Sequence, residues 1–227
     1  MVRIKWPVGA LARLDWVLLQ PIEHATVNPA SKAHNHCMKQ IIFFGDSLTA
    51  GYGLPAGASF PAQIQLKLDA AGLPYRALNY GVSGETSAGG RARLAAVLAR
   101  GPVEVFVLAL GANDGLRSIP AIATAANLTA ILQEVRRQFP AAQLVVAGLE
   151  FPFDLGPLGG HWLGQYARDF KALFRPLAEA TGAAFVPFLL HGVLGQRALN
   201  LPDGVHPNAA GQRVVAENVW AVLQMVL

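Results

Sequence analysis

Three residues in this chain stand where they could work as one catalytic unit. Ser47 follows the apolar run Ile41–Phe44 and the pair Gly45-Asp46, so its hydroxyl sits where a buried strand ends. In open α/β sheets the rim at the carboxyl ends of the strands is where ligands bind. A serine hydroxyl attacks a carbonyl only when a neighbouring base takes its proton. An imidazole, which titrates near neutral pH, suits that task, and His206 supplies one near the other end of the chain. Asp203 precedes His206 by three residues, close enough for a turn to set its carboxylate on the ring nitrogen facing away from Ser47. There it would fix the tautomer and stabilise the imidazolium formed on proton transfer. The chemistry is acyl transfer through a covalent serine intermediate.

Attack on a carbonyl creates an oxyanion that needs donors already in place, and losing one typically costs about 2.7–4 kcal/mol. The candidates are the backbone N–H groups of Ser47 and Gly84 and the side-chain amide of Asn113. Glycine at 84 lets the backbone approach closely, and asparagine donates without carrying charge. Blander roles suit the neighbours. Ser47 on its own reads better as a helix N-cap, and only the other blocks displace that reading. Asp46 adjoins Ser47, and because neighbours in a turn point apart, it is assigned to holding the loop. Asp114 and Glu85 are read as structural. His191 follows an apolar run without a nearby acid, and His161 sits beside Trp162 in a loop, so neither competes well with His206 as the base. His34, His36 and Cys37 hint at a metal site, but a closed zinc site needs four well-spaced ligands.

The elements that must position these groups alternate along the chain. Ile41–Phe44, Ala77–Tyr80, Val103–Leu110, Leu144–Leu149 and Ala184–Phe188 read as strands. Helical patterns cover Pro61–Ala71, Ala88–Arg100, Ala121–Phe139, Trp162–Thr181 and Ala209–Val226. Five strands separated by helices predict an α/β fold with a parallel sheet covered on both faces. Right-handed crossovers favour a three-layer α/β/α sandwich with the flavodoxin-like strand order 2-1-3-4-5. Ser47, Gly84 and Asn113 then follow the first three strands and Asp203 with His206 the fifth, so remote segments converge on one rim.

With those blocks in place, the chain closely resembles the GDSL, or SGNH, hydrolase family. Its four blocks match FGDSLTAGYG, NYGVSGETSAGG, LGANDGLR and DGVHPNAAGQ here, in order, across about residues 39–226. Within the family the resemblance is to bacterial arylesterases and acyl-CoA thioesterase I enzymes. It implies a Ser47–His206–Asp203 triad, an oxyanion hole of Ser47, Gly84 and Asn113, a flavodoxin-like three-layer fold, and neither metal nor cofactor. Glu85 stands where that subgroup commonly has Asp. The departure is residues 1–37, which match none of the family's blocks and lack sustained patterning; the hydrolase domain is expected at residues 38–227.

Composition narrows the function further. More than half of the 227 residues are hydrophobic and 14% are charged, enough for one substantial core. The net charge of +4 is split between the first 37 residues and the rest, too weak and scattered for a nucleic-acid surface. One cysteine excludes an intrachain disulfide, and no run approaches the roughly 18 apolar residues of a membrane span. Arg3 and Lys5 precede an apolar stretch in the outline of a secretory signal, but Arg13 and Asp15 cut it short. The expected location is therefore cytoplasmic, with a periplasmic or secreted one as the alternative. No feature sets an oligomeric state.

Gly51 to Ala56 fits a permissive dinucleotide-binding pattern but starts late and is broken by Pro55. No G-x-S-x-G elbow surrounds Ser47, which argues against the α/β-hydrolase superfold. The segments Leu116–Pro120 and Phe151–Trp162 are apolar and follow the third and fourth strands, so Leu116, Ile119, Phe151, Phe153 and Trp162 are expected to wall an acyl groove. Such a surface favours aliphatic or aromatic acyl groups over sugars. The expected reaction is hydrolysis of small to medium acyl esters and thioesters. The alternatives are a carbohydrate O-acetyl esterase, a lysophospholipase, or a non-catalytic lipid- or carbohydrate-binding module.

Overall fold

The computed structural model describes residues 38–149 and 160–227. Strands and helices follow in the order β1 (Lys39–Gly45), α1 (Ser47–Ala50), α2 (Phe60–Ala70), β2 (Tyr75–Gly81), α3 (Ser87–Leu98), β3 (Val105–Ala109) and α4 (Ala112–Leu116). Then come α5 (Ala121–Gln138), β4 (Gln143–Ala147), α6 (Gly160–Ala172), α7 (Phe174–Thr181), β5 (Ala184–Val186) and α8 (Ala209–Leu223). The strands form one sheet in the order β2-β1-β3-β4-β5, and every pairing is parallel. This is the expected order.

Central strands of such a sheet are buried on both faces, so their sequences run apolar without alternation. Ile41, Ile42, Phe43 and Phe44 of β1 and Val105 to Ala109 of β3 are all buried. Fully burying each such large side chain stabilises the fold by roughly 1.5–3 kcal/mol. The chain moves one way from β1 to β2 and the other way from β2 through β3 to β5. With right-handed crossovers, that reversal places α2 on one face and α3, α5 and α7 on the other. Accordingly α2 packs beside α8, and α3, α5 and α7 pack in a row. In α5 the buried residues Leu128, Ile131, Leu132 and Val135 recur at helical spacing along its inner side.

The expected helix over 162–181 is two helices, broken after Ala172. Pro176 explains the break: it has no N–H to donate to the carbonyl four residues back, and its ring crowds that carbonyl. Strand ends also differ from expectation. β4 stops at Ala147 and β5 at Val186, freeing the residues beyond them to turn toward the rim.

Register gathers the site. Gly45 pairs with Gly81 on one side and Ala109 on the other, so β1, β2 and β3 end level and their exit loops meet. The switch in strand order falls at β1, where ligands are expected in folds of this kind. Gly81 permits a close approach there: a Cβ on it would lie 2.2 Å from the backbone nitrogen of Ala50, in the helical turn that carries Ser47.

Candidate active site

The first turn after β1 sets the serine. Asp46 is the N-cap of α1, and its Oδ1 accepts from the Leu48 N–H at 3.0 Å. Ser47 is therefore the first helical residue and not the cap, which leaves its hydroxyl uncommitted to the helix. Gln212 of α8 secures the same turn across the sequence: its Nε2 donates to the Leu48 carbonyl, while its Oε1 accepts from the Phe60 N–H at the start of α2.

A tight loop before α8 sets His206. The Leu201 N–H donates to the His206 carbonyl at 2.7 Å, and Asn200 and Pro207 form an antiparallel bridge. Inside this loop Asp203 Oδ1 accepts from the N–H groups of Val205 and His206 at 2.9 and 3.0 Å. Its Oδ2 lies 2.8 Å from His206 Nδ1, and His206 Nε2 lies 3.0 Å from Ser47 Oγ. The His206 N–H, joined by that of Val205 and by the imidazole, holds the Asp203 carboxyl down at about 2, against the cost of its partial desolvation. An ionised Asp203 accepts from Nδ1–H and so leaves the Nε2 lone pair facing the serine hydroxyl. The Tyr52 ring packs on the imidazole, with centroids 4.5 Å apart.

The opposite wall is built from the ends of β2 and β3. Gly84 has φ +77°, a left-handed conformation that favours glycine. Its carbonyl accepts from Arg117 Nη2 at 3.0 Å. Asn113, in α4, donates one Nδ2–H to the Glu85 carbonyl at 3.0 Å, which fixes the amide plane. The Glu85 carboxylate is held by Arg93, whose guanidinium also lies over the Phe44 ring, 3.9 Å from its centroid, and donates to the Tyr80 carbonyl. Asp114 is fully buried and accepts from the Ser87 N–H at 2.7 Å, from the Ser87 hydroxyl and from Thr124 Oγ1. It thereby ties α4 to α3 and α5, in keeping with a structural role.

Asp46 lies in a different environment from Asp203. Burial pushes its carboxyl up to about 7, with the Leu48 N–H opposing and the Glu85 and Asp114 carboxylates adding. Among the described residues, its Oδ2 and Thr49 Oγ1 are buried without a hydrogen-bond partner.

Ser47, His206, Gly84 and Asn113 all face one cavity of about 320 Å³. Its remaining walls are mainly apolar: Leu48, Leu149, Leu190 and Leu194, with Tyr52, Leu116 and Val205 also lining it. Of the residues expected to wall an acyl groove, Leu116 lines this cavity. Ile119 does not line this cavity, because the turn after α4 points its carbonyl to the Tyr166 hydroxyl, 2.7 Å away. Phe151 and Phe153 lie outside the described residues, as do His34, His36 and Cys37. Trp162 and His161 fall in α6, their side chains outside the description. His191 is exposed and does not line the cavity.

Sequence reasoning missed Tyr52, Leu149, Leu190 and Leu194. A signal existed for the leucines: Leu149 and Leu190 lie within four residues of the ends of β4 and β5, on the rim side. Tyr52 gave none, since its contact with His206 is set only by tertiary structure.

The GDSL-like lipase/acylhydrolase family model matches residues 43–214. Esterase TesA of Pseudomonas aeruginosa is 35% identical over 187 residues, spanning 82% of this chain and 89% of that protein. Thioesterase 1/protease 1/lysophospholipase L1 of Escherichia coli is 30% identical over 185 residues, spanning 82% of each. A crystal structure of TesA superposes with a TM-score of 0.76 at 35% identity, covering 83% of this chain and all of that one. The chain belongs to the GDSL-like lipase/acylhydrolase family and is an ester-hydrolysing enzyme.

Proposed function

We propose that Ser47 is the nucleophile, His206 the general base and acid, and Asp203 the group that orients His206. The single observation that carries this reading is the aligned pair of contacts, Ser47 Oγ to His206 Nε2 and His206 Nδ1 to Asp203 Oδ2, at the wall of an apolar cavity. Ser47 Oγ attacks the acyl carbon as its proton passes to Nε2. The carbonyl oxygen becomes an oxyanion that receives hydrogen bonds from the Ser47 and Gly84 N–H groups and the free Nδ2–H of Asn113. The tetrahedral adduct collapses, the bond to the leaving oxygen or sulfur breaks, and the Nε2 proton is available to the leaving group. Water then attacks the acyl-Ser47, giving a proton to His206; the bond to Ser47 Oγ breaks, His206 returns that proton to Oγ, and the carboxylic acid departs.

The cavity's leucine walls suit a small to medium aliphatic or aromatic acyl group, carried as an oxygen ester or as a thioester. Relatives named as an esterase and as a thioesterase/lysophospholipase support both leaving groups. A sugar would ask for more polar lining. The test is a chain-length series of p-nitrophenyl esters beside the matching acyl-CoAs. The expected outcome is turnover of both classes with an optimum at short to medium chains. Activity confined to acetylated sugars would contradict it.

A further inference from the structure

Arg117 has no part in the reaction steps above, yet its backbone is fixed beside the cavity and its side chain reaches Gly84 at the cavity's edge. It caps the C-terminus of α4, and the next residue, Ser118, is the one non-glycine residue with positive φ (+53°) among the described residues. Such a backbone costs of order 1–3 kcal/mol and persists only where its surroundings over-determine it. Here they do. The Ser118 and Ile119 N–H groups donate to the carbonyls of Gly115 and Asp114, the Asp114 carboxylate is tied to α3 and α5, and the Tyr166 hydroxyl holds the Ile119 carbonyl.

The guanidinium so presented is exposed and donates one N–H to the Gly84 carbonyl. Guanidinium has five donors in a planar fork that matches carboxylate and phosphate. Two of the other charges at the site are paired, Asp203 with His206 and Glu85 with Arg93, while Asp46 and Asp114 are buried behind it. Among the described residues Arg117 forms no ion pair. Its chain neighbour Leu116 and its partner Gly84 both line the cavity, whereas Arg117 itself does not. An acyl chain in the cavity therefore leaves the solvent side of its ester next to an unmatched cation.

We infer that Arg117 is a specificity residue that recognises an anionic group, a phosphate, on the leaving part of the substrate. The inference deepens the ester-hydrolase reading above and rests on it. The contact with Gly84 places the cation close to the scissile carbonyl, so a phosphate a few bonds from the ester is the better fit. A phosphate at the far end of a pantetheine arm shares the chemistry but not the spacing.

The experiment compares two matched pairs: 1-octanoylglycerol with its 3-phosphate, and octanoyl-pantetheine with octanoyl-CoA. The readout is the ratio of kcat/KM for the charged member over the neutral one. This ratio cancels any general loss caused by disturbing Gly84. In Arg117→Gln the ratio for the glycerol pair should fall about fivefold, mostly through KM, with Arg117→Lys intermediate. A fall in the coenzyme A pair alone would keep the recognition but move its source to the nucleotide arm. Ratios unchanged in both pairs overturn the inference, however far the absolute rates drop. Should the variants fail to fold, salt dependence of the native protein serves instead. The ratio should decline as NaCl rises from about 50 to about 500 mM, because exposed charge pairs are screened. A salt-independent ratio overturns the inference. Absence of turnover of all four substrates contradicts the hydrolase reading itself, and this inference with it.

Discussion

Asp203 and Asp46 each stand near the serine, and their environments are opposite. Asp203 is exposed, lies in a loop, and is surrounded by donors from its own short segment, which hold its carboxyl at about 2. Asp46 is buried at a strand end with one N–H on one oxygen, and its carboxyl rises to about 7. Two aspartates on one rim are thus shifted in opposite directions by their surroundings. The arm that carries Asp203 and His206, the proposed base, is polar, local and solvated; the arm that carries Ser47, the proposed nucleophile, is dry and secured by several elements. Changes to the first should damage rate and spare stability, whereas a change to the Asp46 cap should alter stability and its pH dependence more than rate.

The sharpest way to break that contrast is Asp203→Asn. Its carbonyl oxygen can still accept from the two N–H groups, so the melting temperature should move little. The amide no longer enforces the Nδ1–H tautomer, and kcat should fall on the order of 10⁴-fold. A loss of only a few fold in steady-state kinetics would remove Asp203 from the triad. Next in size is Asn113→Ala. In the proposed oxyanion hole its amide acts only in the transition state, so kcat should drop about 10²- to 10³-fold with KM little changed. An effect on KM alone would show that the amide binds ground-state substrate.

The smallest effect on rate, and the one that probes the buried arm, comes from Asp46→Asn. Asparagine keeps the oxygen that caps Leu48 and cannot ionise. The native Asp46 holds its proton up to about pH 7, whereas an unfolded aspartate loses it near 3.9. Its stabilising contribution is thus fully present below about pH 4 and is lost as pH rises through about 7. Each unit of that window is worth about 1.4 kcal/mol. Denaturant titrations should show Asp46→Asn gaining on the native protein from pH 4 to pH 7 and holding the advantage above. Asp203 does not mask this, because its own contribution is lost only as pH falls toward about 2. Parallel stability profiles for the two proteins would show that Asp46 is ionised throughout.

The same contrast explains what could be read from the sequence. Asp203 and His206 are three residues apart, and Ser47 follows an unmistakable apolar strand, so residue type and spacing alone brought them together. Strand order was legible too, since alternating apolar runs and helical patterns leave few right-handed arrangements. Contacts across the fold were not. The Gln212 bridge to Leu48 and Phe60 spans more than 150 residues, and the Arg93 clasp on Glu85 needs α3 folded against the end of β1. Asp46 holds its loop as expected, but that it does so as the helix N-cap was not legible: Asp46 and Ser47 are both good caps, and only the backbone shows which one takes the position. Pro176 was readable and overlooked inside a strong helical pattern.

The central claim is that Ser47 alone carries the acyl group. Labelling with a fluorophosphonate followed by peptide mass spectrometry tests it directly, since the probe traps a serine that a neighbouring base has activated. One adduct should form, on the peptide containing Ser47; it should be absent in Ser47→Ala and slowed by orders of magnitude in His206→Ala. An adduct on another residue, or undiminished labelling in Ser47→Ala, would contradict the account.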